Sequence, residues 1–230
     1  MAELARTPLF GVALTIVVYV LAEALYARLR APLAHPVPVS IVTIIVTLLL
    51  LAVPYDAYAA GGKLLLFLLG PSVVALAVPL YVQRARLAER ALPITAGILA
   101  GAVTSIVTAT LTAKGLGASH EVVLSLAPKS VTTPIAIGLS ERIGGIPPLT
   151  ACAVVLTGCI GAALGPELCR WMGLRDPVAT GLAVGTACHG IGTARMLEVD
   201  ALGGAVAGLA IGLNGLATSV ILPLVLRWVG

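Results

Sequence analysis

The chain is written in long apolar runs separated by short polar or proline-rich breaks. A helix that crosses a bilayer needs about 20 apolar residues at a rise of about 1.5 Å each. Pro8–Ala27, Pro38–Val53, Leu92–Ala113 and Pro148–Leu168 read as such spans, and Gly203–Leu226 reads as a fifth. Proline opens several of them, as suits the first turn of a helix. Three further stretches are apolar but interrupted. Lys63–Val82 carries Gly70-Pro71 in its middle, and Ser119–Ser140 carries Pro128 and then Pro134. Pro177–Leu197 carries Gly185, His189, Gly190 and Gly192. Proline removes a backbone donor and clashes with the preceding turn. Non-helical backbone at membrane depth survives only where protein or a water-filled cavity satisfies it. These three stretches are therefore expected as broken helices that line a site.

The first apolar run follows Met1–Thr7 and ends at Arg28 and Arg30 without a small-residue cleavage site, so a retained helix is expected. Arg84, Arg86 and Arg90 follow Lys63–Val82, two spans later. Basic loops mark the cytoplasmic side. Both loops then lie inside, with the N-terminus and the turn near Asp56 outside. Leu92–Ala113 runs outward and Pro148–Leu168 ends inside, before Arg170 and Arg175. Ser119–Ser140 must then enter and leave on the outer side, as a re-entrant hairpin folded at Pro128-Lys129. A full crossing of Ser119–Ser140 is the alternative.

A weak internal repeat accompanies this topology. Leu69-Gly70-Pro71-Ser72-Val73 is similar to Ala127-Pro128-Lys129-Ser130-Val131, and Pro93-Ile94-Thr95-Ala96 to Pro148-Leu149-Thr150-Ala151, at offsets of 58 and 55 residues. The expected organisation is a single transmembrane domain: N-terminal spans over 1–60, one repeat unit over 61–118, a second over 119–176, and a broken segment with the last span over 177–230. A re-entrant Ser119–Ser140 inverts the two repeat units relative to each other; a full crossing makes them parallel. Broken segments at corresponding places of two halves are the pointer to a secondary transporter's binding site.

Composition narrows the class. The 230 residues are 59% hydrophobic and 10% charged, with a mean hydropathy of +1.08. Soluble domains carry about 25% charged residues. That excludes a soluble enzyme, a nucleic-acid binder and a disordered chain, and the unbroken apolar runs exclude an outer-membrane barrel. The net charge of +4 reflects basic loops. Cys152, Cys159, Cys169 and Cys188 show no metal-ligand pairing and read as small buried hydrophobes. No motif for a cofactor, a metal or soluble catalysis is present.

The polar residues inside the apolar runs carry the chemistry. A helix N-terminus offers free N–H groups and partial positive charge, so half-helices starting near Ser72 and near Ser130 would form an anion site. Lys129 would be a charge in the membrane interior, which marks function by default. The hydroxyls of Ser130, Thr132 and Thr133 can donate to a carboxylate or a substrate hydroxyl. The competing reading has Lys129 snorkelling to an interface and the hydroxyls bonding to their own backbone. In Gly185–Arg195, three glycines surround His189, which can carry a coupling proton, and Thr193 adds a hydroxyl. Arg195 can fork onto a carboxylate or pair with Glu198 on its own helix. Asn214, inside the last span, is a further polar candidate or a bond between helices. Glycines four apart (Gly97 and Gly101; Gly204, Gly208 and Gly212) suggest close helix packing.

At these residues a family resemblance emerges. Leu126-Ala127-Pro128-Lys129-Ser130-Val131-Thr132-Thr133-Pro134-Ile135-Ala136 with Ile143-Gly144-Gly145-Ile146-Pro147 resembles the LrgB/CidB family of bacterial membrane proteins. So do Gly185–Ala194 and Leu68–Tyr81, and the resemblance spans residues 7 to 228. A similar domain closes the plastid glycolate/glycerate translocator. Two functions are implied. One is transport of small monocarboxylates such as glycolate, glycerate, lactate or pyruvate. The other is an antiholin-like modulator of murein hydrolase export and autolysis, with a holin-like partner of the LrgA/CidA type.

The expectation is thus an all-α polytopic protein of the bacterial cytoplasmic membrane, with seven or eight membrane segments. It is not an enzyme, and the glycine ridges suit a dimer. Transport is the leading reading. The carboxylate would be held by Lys129 and the half-helix starts, with Ser72, Ser130, Thr132, Thr133, Thr193 and Arg195 around it. H⁺ or Na⁺ would be the coupling ion, and His189 the proton carrier if it is H⁺.

Overall fold

A computed structural model describes residues 7–29, 31, 34–68, 71, 74–75 and 77–229. All regular elements among them are helices: α1 (Pro8–Leu29), α2 (Pro36–Leu50), α3 (Tyr55–Phe67), α4 (Ala77–Val82), α5 (Arg84–Glu89), α6 (Ala91–Gly115), α7 (His120–Leu126), α8 (Thr133–Ile143), α9 (Pro147–Trp171), α10 (Pro177–Val199) and α11 (Ala201–Val229). Four of these, α1, α6, α9 and α11, are long and apolar enough to cross a membrane. They match four of the five expected spans to within three residues. The fifth appears as α2, whose 15 residues fall short of a full crossing. The chain divides into two compact units, Met1–Ala77 and Val78–Gly230.

In the first unit α1 packs against both α2 and α3. A Cβ on Gly11 would stand 2.5 Å from the Tyr58 carbonyl oxygen, and one on Gly61 would stand 2.8 Å from the Gly11 Cα. Backbone therefore meets backbone, and only glycine fits. Thr15 Oγ1 and the Tyr58 hydroxyl share a hydrogen bond of 2.9 Å beside this crossing.

The second unit is built from two hairpins and three long helices. The first hairpin is α7, a turn over residues 127–132, and α8. His120 at its entry and Ile143 at its exit line one cavity of about 310 Å³ with Leu226 and Arg227. The hairpin enters and leaves at the same end of the unit, as the re-entrant reading requires. Ser125 Oγ receives the Ile146 N–H at 2.7 Å, and Thr150 Oγ1 donates to the Ser125 carbonyl at 2.9 Å. These bonds fasten the hairpin to the start of α9.

The second hairpin lies within α10. His189 has φ 44° and ψ −141°, a non-helical break in the middle of the element. Its two halves fold back on each other. Val184 and Met196 share a core cluster with Cys169, Cys188 and Ala207. A Cβ on Gly203, just past α10, would lie 2.7 Å from Met196 Cε and 3.2 Å from the Pro177 carbonyl oxygen. The end of α10 has thus returned to its beginning. Asp176 caps the first half by accepting from the Val178 N–H at 3.1 Å. It also pairs with Arg90 at 2.6 Å, so this hairpin starts where α6 starts, whereas the first starts where α6 ends.

Each hairpin is followed by one long helix, α9 or α11. The two hairpin-plus-helix units enter from opposite ends and so are inverted relative to each other. The pairing of 61–118 with 119–176 drawn from the sequence leans on Gly70 and Ser72, which lie outside the described residues. Close packing at the glycine ridges holds at Gly97, whose Cβ would lie 2.5 Å from Leu182 Cδ2, and at Gly101, 2.7 Å from Thr186 Cγ2. It holds at Gly204 against Leu197, whereas Gly212 faces open space.

Candidate functional site

The tips of the two hairpins carry most of the polar residues singled out in the sequence. Pro134 is tolerated only in the first turn of a helix, so α8 starts at Thr133, with Thr132 as its N-cap. Lys129 and Ser130 consequently lie on the turn before α8, not in its first turn as expected. Thr132 has extended dihedrals, and its side chain makes no capping bond. The N–H groups at the start of α8 therefore have no side-chain cap.

Lys129 is half-buried, and its ammonium donates to Ser130 Oγ at 3.2 Å. No carboxylate among the described residues pairs with it. Ser130 is buried, and its Oγ also accepts from Ser105 Oγ on α6 at 2.7 Å. Nothing in the sequence pattern marks Ser105.

His189 is 5% exposed. Its Nε2 lies 2.8 Å from the Val154 carbonyl oxygen on α9. A carbonyl oxygen cannot donate, so Nε2 carries the hydrogen and the neutral ring keeps Nδ1 as its acceptor. The ring fits because position 158 is glycine: a Cβ there would stand 2.6 Å from His189 Cε1. Gly161 makes room for Cys188 in the same way. On either side of the break, Thr186 and Thr193 are buried, and their hydroxyls have no hydrogen-bond partner. Thr186 is a second residue that sequence reasoning did not single out.

Asn214 is 1% exposed and lies midway along α11. Its amide nitrogen donates to the Ser130 carbonyl at 3.1 Å and to the Thr186 carbonyl at 3.0 Å. It therefore touches both hairpins. Arg195 is not at the tips. It lies six residues beyond the break, about 9 Å along a helix, paired with Glu198 at 2.9 Å and Glu167 at 3.7 Å. Ser72 lies outside the described residues. Lys129, Ser130 and Asn214 are thus linked by hydrogen bonds across the two tips, and His189 stands at the break of the second tip. Thr132 and Thr133 flank one tip and Thr193 the other.

No group of three or more His, Cys, Asp or Glu among the described residues could hold a metal ion. Among the described residues the tips offer an ammonium without a carboxylate, helix N–H groups without a side-chain cap, and the partnerless hydroxyls of Thr186 and Thr193; such groups can hold an anion.

Comparison with known proteins agrees with the sequence resemblance. The chain is 35% identical to the uncharacterized protein YxaC of Bacillus subtilis (strain 168) over 212 residues, which cover 92% of each chain. It is 34% identical to the antiholin-like protein LrgB of Bacillus mycoides (strain KBAB4), over 97% of this chain and 98% of that one. The uncharacterized protein YwbG of Bacillus subtilis (strain 168) is 35% identical over 94% of this chain and 96% of its own. No solved structure gives a significant match. The model of the LrgB-like family matches residues 15–228, and the chain is a member of that family, a polytopic helical membrane protein.

Proposed function

We propose that the protein is a secondary transporter of small organic monocarboxylates, with the substrate anion held between the two hairpin tips. The observation that supports this reading is the meeting of two oppositely directed re-entrant tips around Lys129, which has no carboxylate partner among the described residues. Lys129 and the start of α8 hold the carboxylate, and Thr132, Thr133 and Thr193 offer hydroxyls to its other oxygens. His189 is the candidate for a coupling proton, since Nδ1 can take one while Nε2–H stays on Val154. The basic loop at Arg84, Arg86 and Arg90 faces the cytoplasm. The test is uptake of labelled glycolate, lactate and pyruvate into proteoliposomes, with and without a pH gradient. Uptake above empty vesicles for at least one acid is expected. No uptake of any of the three at millimolar concentration overturns the reading.

The relatives favour a second reading. One bears the name antiholin-like protein LrgB, and none of the names quoted above speaks of transport. On this reading the chain modulates murein hydrolase export and autolysis beside a small LrgA-type membrane partner. Deletion would then change the rate of lysis, while a variant without Lys129 would complement it fully. On the transport reading that variant fails in both assays.

A further inference from the structure

Asn214 has two N–H groups, and they serve two carbonyls on different hairpins. Both carbonyls lie beside a break in helical structure: Ser130 on the 127–132 turn, outside any helix, and Thr186 three residues before the non-helical His189. Four residues after Ser130 stands Pro134, which has no N–H to give. Four residues after Thr186 stands Gly190, just past the non-helical His189. A buried carbonyl without a donor is costly. One amide on α11 satisfies both.

The surrounding packing brings α11 to both tips. A Cβ on Gly215 would stand 2.8 Å from Ile135 Cδ1 on α8, and one on Gly185 would stand 2.5 Å from the Ala207 Cα. Two separate donors would satisfy the carbonyls equally well and leave the tips independent. A single nitrogen bound to both keeps the two oxygens within two hydrogen-bond lengths of each other.

We infer that Asn214 is a positioning residue that ties the two hairpin tips together and so sets the width of the anion site between them. The width matters because Lys129 is on one tip and Thr193 lies just beyond the other. This inference rests on the transport reading for its kinetic part only.

Three substitutions in the full chain separate the donors. Asn214→Gln keeps two, Asn214→Ser keeps one, and Asn214→Leu keeps none at similar volume. Loss of one or two net hydrogen bonds corresponds to roughly 10-fold in affinity. Asn214→Ser and Asn214→Leu should raise KM for the transported acid about 10-fold at unchanged Vmax per folded protein, and Asn214→Gln should recover most of it. A merely structural role would lower Vmax through the folded fraction and leave KM alone; that result overturns the inference. Hydrogen exchange in proteoliposomes supplies a readout without transport. In Asn214→Ser the segments 127–132 and 186–190 should lose protection together, while α6 and α9 keep theirs. Loss at one tip alone, or at neither, overturns the inference even if no acid is transported. If Asn214→Leu fails to insert, the serine and glutamine variants carry the same comparison.

Discussion

On the transport reading, Lys129 binds the anion because no carboxylate among the described residues pairs with it. An ammonium in an apolar environment is retained where it pairs or binds, and here its bond within the protein goes to Ser130 Oγ. A charge-assisted contact to a carboxylate is worth about 1.5–3 kcal/mol. Lys129→Met should therefore raise the KM for the transported acid by about 10- to 100-fold. The fold should survive, since methionine fills the volume without the charge. Thermal stabilisation by glycolate, lactate or pyruvate should shrink in parallel; equal stabilisation of both proteins removes Lys129 from the site. His189 presents a different balance. A non-glycine backbone at φ 44° is strained by about 1–3 kcal/mol, and the His189 side chain's bond to Val154 and its fit into the recess at Gly158 hold it there. His189→Gln keeps a side-chain N–H for Val154 but cannot take a proton at Nδ1. It should abolish the dependence of uptake on a pH gradient and leave exchange measurable. Uptake still driven by the gradient would reduce His189 to a fastening of the hairpin tip.

The two hairpins differ in how plainly the sequence announces them. Pro128 and Pro134 stop helices by known chemistry, and the fold at 127–132 could be placed from them alone. Gly190 and Gly192 signalled a sharp bend near His189, but not that the chain turns right back. That return depends on Val184 meeting Met196 and on Gly203 meeting Pro177, contacts that no periodicity reveals. Asn214 was legible as a polar group that bonds across helices, whereas its two acceptors come from breaks on separate hairpins. Ser105 and Thr186 look like ordinary small residues of spanning helices. The return of α10 onto α11 also sets a packing limit. A Cβ on Gly181 would meet the Gly203 carbonyl, while one on Gly138 in α8 meets nothing within 4 Å. Gly181→Leu should destabilise the protein by about 1–3 kcal/mol or more, through overpacking against backbone. Gly138→Ala should be neutral or stabilising by up to about 1 kcal/mol. Thermal unfolding of the two in the same detergent measures the contrast, and equal melting temperatures would contradict the close approach of α10 and α11.

The second unit as a whole makes a claim about sidedness. With both hairpins re-entrant, only α6, α9 and α11 cross. The α6–α7 turn and the end of α8 then share one face of the membrane. The start of α6, the end of α9 and both ends of α10 share the other. That other face carries Arg84, Arg86, Arg90, Arg170 and Arg175, and since basic loops tend to stay in the cytoplasm, it is the proposed cytoplasmic face. Single cysteines at exposed positions in a cysteine-free chain read this directly. In sealed cells an impermeant thiol reagent should modify cysteines at Gly117 and Glu141, and leave those at Arg86, Arg175 and Val199 intact until the membrane is opened. Glu141 and Val199 decide the matter, because each stands near the far end of a hairpin. If α8 completed a crossing, Glu141 would be protected from outside; if α10 did, Val199 would be labelled. The fold places both hairpin exits at their own entrances, so either result would break the inverted pairing of α7–α9 with α10–α11. The anion site proposed between the tips depends on that pairing, because tips from opposite faces meet only if neither hairpin passes through.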